Sequence, residues 1–441
     1  MKLRSLLAAV VVLLILGGVL YWSQHRKTPD AASTASPTTP TIVNLEPAAV
    51  ASFTVKQHGA QPVTLVSSGA NAWQITAPGT FPADAATVSG LFSGLHPLNA
   101  ERVVEDHATN LAQFGLSDPT TELDVTGKDK KTTRLLIGDD TPTGDAAFAA
   151  LAGDPRVFTV ASYIKTGLNK NLGDLRDKRL LPIDASSVSS FDLIRKAQAI
   201  EFARLQNGWQ IEKPQSYRTD NFQVDDLLQQ ITTAKWDPTT PAGDAAKAFA
   251  KATPLATAKL TGSAGTETLD IRKDKDEYFA KSTAVPGAWK VDPSAASALG
   301  QALDHSLDDF RNKQIFSFSY ADPEKIEYHS GPTSLVLTRT GKDWSSNGKK
   351  MTSDSVETLV TALRDLAATK FVDSGLTAPQ IEIAVTSSDG KKVEKVQLQK
   401  TSDGAIAKRE DDSSLYSLDS TTVGSLTNAI AGITPAGTPK K

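Results

Sequence analysis

Three copies of one pattern constrain this chain more than any other feature of its sequence. Trp73 opens Trp-Gln-Ile-Thr-Ala-Pro78, and the apolar set Val88, Leu91, Phe92, Leu95 follows. Trp209 opens Trp-Gln-Ile-Glu-Lys-Pro214, and Val224, Leu227, Leu228, Ile231 follow at the same distance. Trp344 is followed, at a slightly shorter distance, by Val356, Leu359, Val360 and Leu363. Each set has the spacing i, i+3, i+4, i+7, which is one face of a helix. Asp84, Asp220 and Thr352 each stand four positions before the first apolar residue, where an N-cap belongs. The period of about 135 residues exceeds the roughly 20–50 of a solenoid, and it fits a duplicated domain.

A chain of 441 residues has room for about three domains. Short alternating or β-rich runs separated by polar turns surround each helix pattern. The links between them are too short for parallel crossovers, so the fold class is α+β with antiparallel sheets. The expected divisions are a membrane anchor (1–27), a disordered Thr/Pro/Ala/Ser tether (28–46), repeat one (47–182), repeat two (183–317), repeat three (318–433) and a tail (434–441). Repeat one closes on Asp174-Leu175-Arg176-Asp177-Lys178-Arg179-Leu180-Leu181, and repeat two on Asp309-Phe310-Arg311-Asn312-Lys313-Gln314-Ile315-Phe316. Repeat three has no copy. The element thus occurs only where another repeat follows, which predicts a joint. Arg176, Lys178, Arg311 and Lys313 are its charged residues. Trp73, Trp209 and Trp344 are expected to be core anchors that pack on the following helix. Stacking platforms for a glycan or peptide are the alternative.

Leu6 to Trp22 carries no charged or strongly polar side chain. At a rise of about 1.5 Å per residue it makes about 26 Å of helix, at the short end for crossing a bilayer. Lys2 and Arg4 precede the run, Tyr21 and Trp22 close it, and no small-x-small cleavage site follows. The expectation is an uncleaved N-terminal transmembrane helix, with a cleaved signal peptide as the alternative. It implies a single-pass inner-membrane protein with its bulk outside the cytoplasm. The chain has a net charge of −3, and four basic residues without an acid precede Thr28. The body is therefore acidic, which excludes a nucleic-acid binder.

No P-loop, nucleophile elbow, His-Glu-x-x-His or Gly-x-Gly-x-x-Gly is present. There is no Cys, so disulfides, thiolate metal sites and a Cys nucleophile are excluded. The histidines His25, His58, His96, His107, His305 and His329 share no ligand spacing. The turn Gly138–Asp145 offers oxygens for Ca²⁺ but lacks the Glu of an EF-hand loop, and a hairpin tip explains it. Asp225 and Asp226 are adjacent on a helix, as on a solvated face. No cofactor or metal is expected.

The Trp-x-Ile-x-x-Pro element, Phe114-Gly115-Leu116-Ser117-Asp118-Pro119, Leu136-Ile137-Gly138-Asp139, the Leu175-Arg176-Asp177-Lys178 joint and the short anchor together resemble the bacterial family called domain of unknown function 4340 (DUF4340). The resemblance covers nearly all of the chain after the tether. Repeat three departs most, with Ser345–Asn347 in place of Gln-Ile. Family members tend to be encoded near ABC-transporter components of the gliding-motility type. The resemblance therefore implies an envelope accessory role and no known reaction. The expected function is a non-catalytic, membrane-anchored periplasmic scaffold acting through protein–protein contacts, with a transporter as candidate partner. The alternatives are a glycan-, peptide- or small-ligand-binding module in a groove between repeats, and a hydrolase whose site is not visible in one sequence.

Overall fold

A computed structural model describes residues 39–437, apart from 70, 71, 197, 320–322 and 389. The described chain divides into two compact units, one ending at Asp177 and one beginning at Lys178.

The first unit is built on a nine-stranded antiparallel sheet. Its strands run, in spatial order, Phe81–Pro82, Ala72–Ala77, Val63–Gly69, Val50–Gln57, Thr121–Gly127, Thr132–Asp140, Ala146–Leu151, Val157–Ala161 and Arg102–Glu105. Alternation dictates the buried face: Phe53 and Val55, Val63 and Leu65, Trp73 and Ile75, Leu123 and Val125 all point into one core. The helix Ala85–Ser93 covers that face with Val88, Leu91 and Phe92, and the short helices Ser162–Leu168 and Leu172–Leu175 pack beside it. Asp84 caps the first of these, accepting the Thr87 N–H at 2.8 Å.

The second unit contains two further antiparallel sheets, of eight and nine strands. Each is covered by a longer amphipathic helix, Asn221–Thr233 or Ser353–Arg364. A closing helix packs against each of these, Pro293–Asp304 in one case and Ser420–Ala431 in the other. Val224, Leu227, Leu228 and Ile231 are buried under the first, and Val356, Leu359, Val360 and Leu363 under the second. Asp220 accepts the Phe222 and Gln223 N–H groups. Thr352 instead donates its hydroxyl to Ser355 at 2.9 Å.

The three Trp share one register. Trp73 lies opposite Ser67, Trp209 opposite Arg204 and Trp344 opposite Arg339. An apolar pair also leads into every sheet. Leu180 and Leu181 lie in the core of the eight-stranded sheet, and Ile315 and Phe316 in the core after it. Ile42 and Val43 hold the same place in the first unit, where Thr41–Val43 pairs with Leu98–Asn99. The end of the segment read as a disordered tether is thus a strand.

The tail behaves in a related way. The N-cap residue of each long helix donates its backbone N–H to a later segment: Asp84 to Leu175 O, Asp220 to Phe310 O, Thr352 to Thr434 O, at 2.8–2.9 Å. Arg176 then bridges Ala83, Arg311 bridges Thr219 and Pro435 bridges Met351. The last sheet therefore keeps the backbone geometry of the joint without its side chains.

The transmembrane expectation is corrected. The run Leu6–Trp22 lies outside the described residues, and no helix among the described residues is long and apolar enough to cross a membrane. Crossing takes about 20 apolar residues, whereas the longest described helix, Asn221–Thr233, has 13 and includes Asp and Gln. The fold is α+β with repeated antiparallel sheets. The inner-membrane, single-pass placement and the membrane partner rested on that span and are not carried further.

One helix escapes the sequence pattern. Ala242–Lys251 has Phe249 as its single large apolar residue, packed on Phe279 and Ala288. Leu228 is 1% exposed in the core of the eight-stranded sheet. Leu228→Ala is expected to cost about 2–5 kcal/mol, read as a lowered urea midpoint of the second unit.

Candidate functional site

Within the second unit, the joint that follows the helix Pro293–Asp304 holds the richest cluster of buried polar groups. It begins with the helical turn Leu307–Phe310, fixed by a capping box between Ser306 and Asp309. Phe310 is fully buried in the core behind it. Arg311 comes next and is 9% exposed. Its guanidinium carbon lies 4.0 Å from the ring centre of Tyr217 and 3.5 Å from that of Phe371. One ring belongs to each sheet, so the cation is clamped between the two. Nη1 donates to Asp308 at 2.8 Å and Nη2 to Ser414 at 2.9 Å. Lys313 is half-exposed, with Asp309 at 4.0 Å, and its carbonyl accepts the Ala368 N–H at 2.8 Å.

Arg218 reaches across the same boundary, donating to Gln314 O at 2.7 Å and facing the Tyr416 hydroxyl at 3.4 Å. Tyr416 donates to Asp412, which also accepts the Ser414 N–H and hydroxyl at 2.9 and 2.8 Å. Burial, and then the bond to Asp412, push the Tyr416 phenol up to about 12. A second set holds the chain as it enters the last sheet. Arg409 is 2% exposed. It donates to Ile315 O, to Glu394 at 3.0 Å and, through two bonds of 2.8 and 2.7 Å, to Asp411. Glu394 also accepts the Ser317 N–H and hydroxyl at 3.0 and 2.8 Å. Burial raises the Glu394 carboxyl, but the Ser317 bonds and the charges of Arg409 and Lys392 outweigh it and hold it below the usual range. Asp411 is held low in the same way, by its bonds to Arg409 against its burial.

The other sequence-derived residues occupy packing positions. Trp73 contacts Phe53 and Phe92, with ring centres 5.1 and 5.5 Å away. Trp209 stands edge-on to Phe191 at 5.4 Å, and its indole N–H donates to Asp225 at 2.8 Å. Asp225 is exposed, as on a solvated face, and is also the partner of the Trp. Trp344 is 8% exposed in the third core. Arg176 stacks on Phe81 at 4.3 Å, as Arg311 does on Tyr217, and burial lowers its pKa. The Lys178 carbonyl accepts the Trp236 N–H at 2.9 Å.

The position that receives Arg311 has a counterpart in the first unit. Phe158 pairs with Val103 as Tyr416 pairs with Phe371. Four residues earlier, Asp154 takes the place of Asp412. Its carboxylate is filled from within by Arg156, at 2.9 and 2.6 Å, and Arg156 lies 5.0 Å from the Phe158 ring.

None of this geometry resembles a reaction centre. Most perturbed groups sit in ion pairs, caps and turns; Asp192, on a strand, is raised by burial and by the charge of Glu201 opposite it. Among the described residues no group of three or more His, Asp and Glu could hold a metal ion. The turn Gly138–Asp145 is a hairpin tip in which Asp145 accepts from Thr141 and Thr143.

Arg409→Met strands Glu394 in the core and is expected to cost about 3–5 kcal/mol, whereas the paired Arg409→Met, Glu394→Met change should cost less. The two low carboxyls stabilise the fold fully above about pH 4.5, and that stability is lost as pH falls through their folded values. Tyr416 acts at the other end: its contribution is complete below about pH 10 and is lost as pH rises through its folded value of about 12. Urea midpoints across pH measure both limbs, and Arg409→Met should flatten the acid one.

No curated protein matches this chain. Among solved structures, a DNA polymerase sliding clamp from Pseudomonas aeruginosa with ligand is 8% identical over 87% of this chain and 94% of that chain, with a TM-score of 0.15. A DnaN sliding clamp (DNA polymerase III subunit beta) from Pseudomonas aeruginosa bound to griselimycin is also 8% identical, over 86% of this chain and 94% of that one, with a TM-score of 0.15. Superpositions that weak carry no argument. The family described as "Domain of unknown function (DUF4340)" matches residues 73–248 and 209–382. Each stretch begins on one of the repeated Trp, and neither brings evidence of membrane anchoring. Together the two stretches take in most of the chain, which belongs to the DUF4340 family.

Proposed function

We propose that this protein acts without catalysis, by presenting its surface to another protein. Three tandem repeats, 47–182, 183–317 and 318–433, are its building units in this reading. Trp73, Trp209 and Trp344 anchor their cores. Arg311 and Lys313 fasten the second repeat to the third; Arg176 and Lys178 hold the equivalent places in the sequence after the first, where Arg176 packs on Phe81. Burying a guanidinium and carboxylates is costly unless every partner is supplied. Here that machinery joins sheets instead of lining a cavity, which supports a structural use of the charged groups.

The observation that carries the reading is a rigid corner with exposed apolar side chains. Phe222 is 76% exposed and Leu205 55%. Leu205 ends its strand opposite Gly208. Asn221, just before Phe222, accepts the Trp209 N–H at 2.7 Å. Hairpin and helix start are thereby locked together, and both apolar side chains stand at one end of the sheet. Large apolar groups held in water by a fixed backbone suit a contact surface.

A photo-crosslinking residue in place of Leu205, in cells that make the protein, should give one discrete adduct. Phe222→Ser in the same chain should abolish it without changing the melting temperature. Turnover of ester, peptide, phosphate or glycoside substrates, or adducts indifferent to Phe222, would overturn the reading.

A further inference from the structure

The three repeated Trp are all nearly buried, at 9, 4 and 8% exposed, but do not have the same neighbour opposite them. In the eight-stranded sheet, Arg204 lies over Trp209, with its guanidinium carbon 4.2 Å from the ring centre. Its Nε donates to Val188 O at 2.7 Å and Nη2 to Ala185 O at 2.9 Å. In the last sheet, Arg339 lies over Trp344 at 5.9 Å. Register makes Ser67 the counterpart of these arginines, since it lies opposite Trp73. Serine is too short to cover an indole.

The backbone around the two sites is the same. The 3-10 turn Pro47–Ala49 leads into a strand at Val50, as Ala185–Ser187 leads into one at Val188. Val50 lies opposite Gly127 and Val188 opposite Gly262, each followed by a bulge. Pro47 O and Val50 O thus match the carbonyls that hold Arg204. Where the guanidinium would lie, the first unit has an open groove of about 740 Å³ lined by Pro47, Ala51, Val66, Ser67, Trp73 and Lys128. Val66 is 40% exposed there.

We propose that this groove takes an arginine side chain from a partner protein. The guanidinium lies on the Trp73 face and donates to the Pro47 and Val50 carbonyls, and its stem packs on Val66 and Ala51. The ring quadrupole favours a cation, and guanidinium, planar and weakly hydrated, stacks better than ammonium. Lys128 on the rim would repel an isolated cation, so the arginine that fits best has an acidic neighbour to pair with Lys128. The proposal rests on the protein-contact reading above and names the chemistry of one contact.

The probe is the blocked tripeptide acetyl-Gly-Arg-Glu-amide, added to the full chain and followed by the indole N–H resonances of its six Trp. The Trp73 resonance, assigned with Trp73→Phe, should shift while those of Trp209 and Trp344 stay. The citrulline peptide, neutral and of the same shape, should bind about tenfold more weakly. Ser67→Arg should fill the groove as Arg204 does and abolish the shift, with the other resonances in place to show an intact fold. No shift at millimolar peptide, or equal binding of the citrulline peptide, would overturn the proposal. So would a Trp73 resonance that moves on Arg26→Ala and Lys27→Ala in the free chain, because the occupant would then be this chain's own N-terminal segment. If Ser67→Arg removes peptide binding but leaves the Leu205 photo-adduct and every other cross-linked partner intact, the groove is not a docking site, and the protein-contact reading survives.

Discussion

A single backbone hydrogen bond holds the start of each long helix to a segment arriving from much later in the chain. Asp84, Asp220 and Thr352 donate to Leu175, Phe310 and Thr434. The first N–H groups of a helix have no partner inside it, and the residue ahead of them is equally exposed unless something pairs with it. The returning segment supplies that pair and closes the sheet–helix layer. The Trp beneath depends on this closure, because its ring is covered by the helix whose start is held. The joint follows directly: once the chain has come back to this place, its next residue points away from the finished core.

The buried charges of the second joint are better understood as a choice of neighbour than as a source of net stability. Arg409 and Glu394 would be replaceable by apolar side chains of similar volume with little loss, whereas Asp411 pairs with Arg409 from the exposed rim. Arg311 is different in kind. Its flat cation fits between Tyr217 and Phe371 only if the two sheets meet at one spacing and one angle. Leucine in that slot would tolerate sliding; a guanidinium with oriented bonds to Asp308 and Ser414 does not.

Local periodicity made the helices, their caps and the Trp positions legible from sequence, because each is decided within a few turns of chain. The joints were legible as copies, and Arg311 as their central residue. What it meets was not: Phe371 and Ser414 lie far along the chain, and contacts at that separation leave no spacing to read. The helix Ala242–Lys251 was missed because alanines and a lone Phe249 give no apolar stripe. The closing bridge at Pro435 was missed because backbone alone makes it, and Pro435 carries nothing of the Arg that marks the other two. That the exposed Asp225 also binds an indole was not legible, because the Trp comes from the preceding strand.

The pair Asp154 and Arg156 has a consequence for the order in which the chain can fold. The same turn in the last sheet presents Asp412 and Ser414, and it is completed by Arg311 from the sheet before. The first unit carries its own cation for that place, two residues along. On a ribosome, which delivers the N-terminus first, it can therefore settle before anything downstream exists. The last sheet meets its missing cation already folded into place ahead of it. At this turn, then, the direction of synthesis and the direction of dependence coincide.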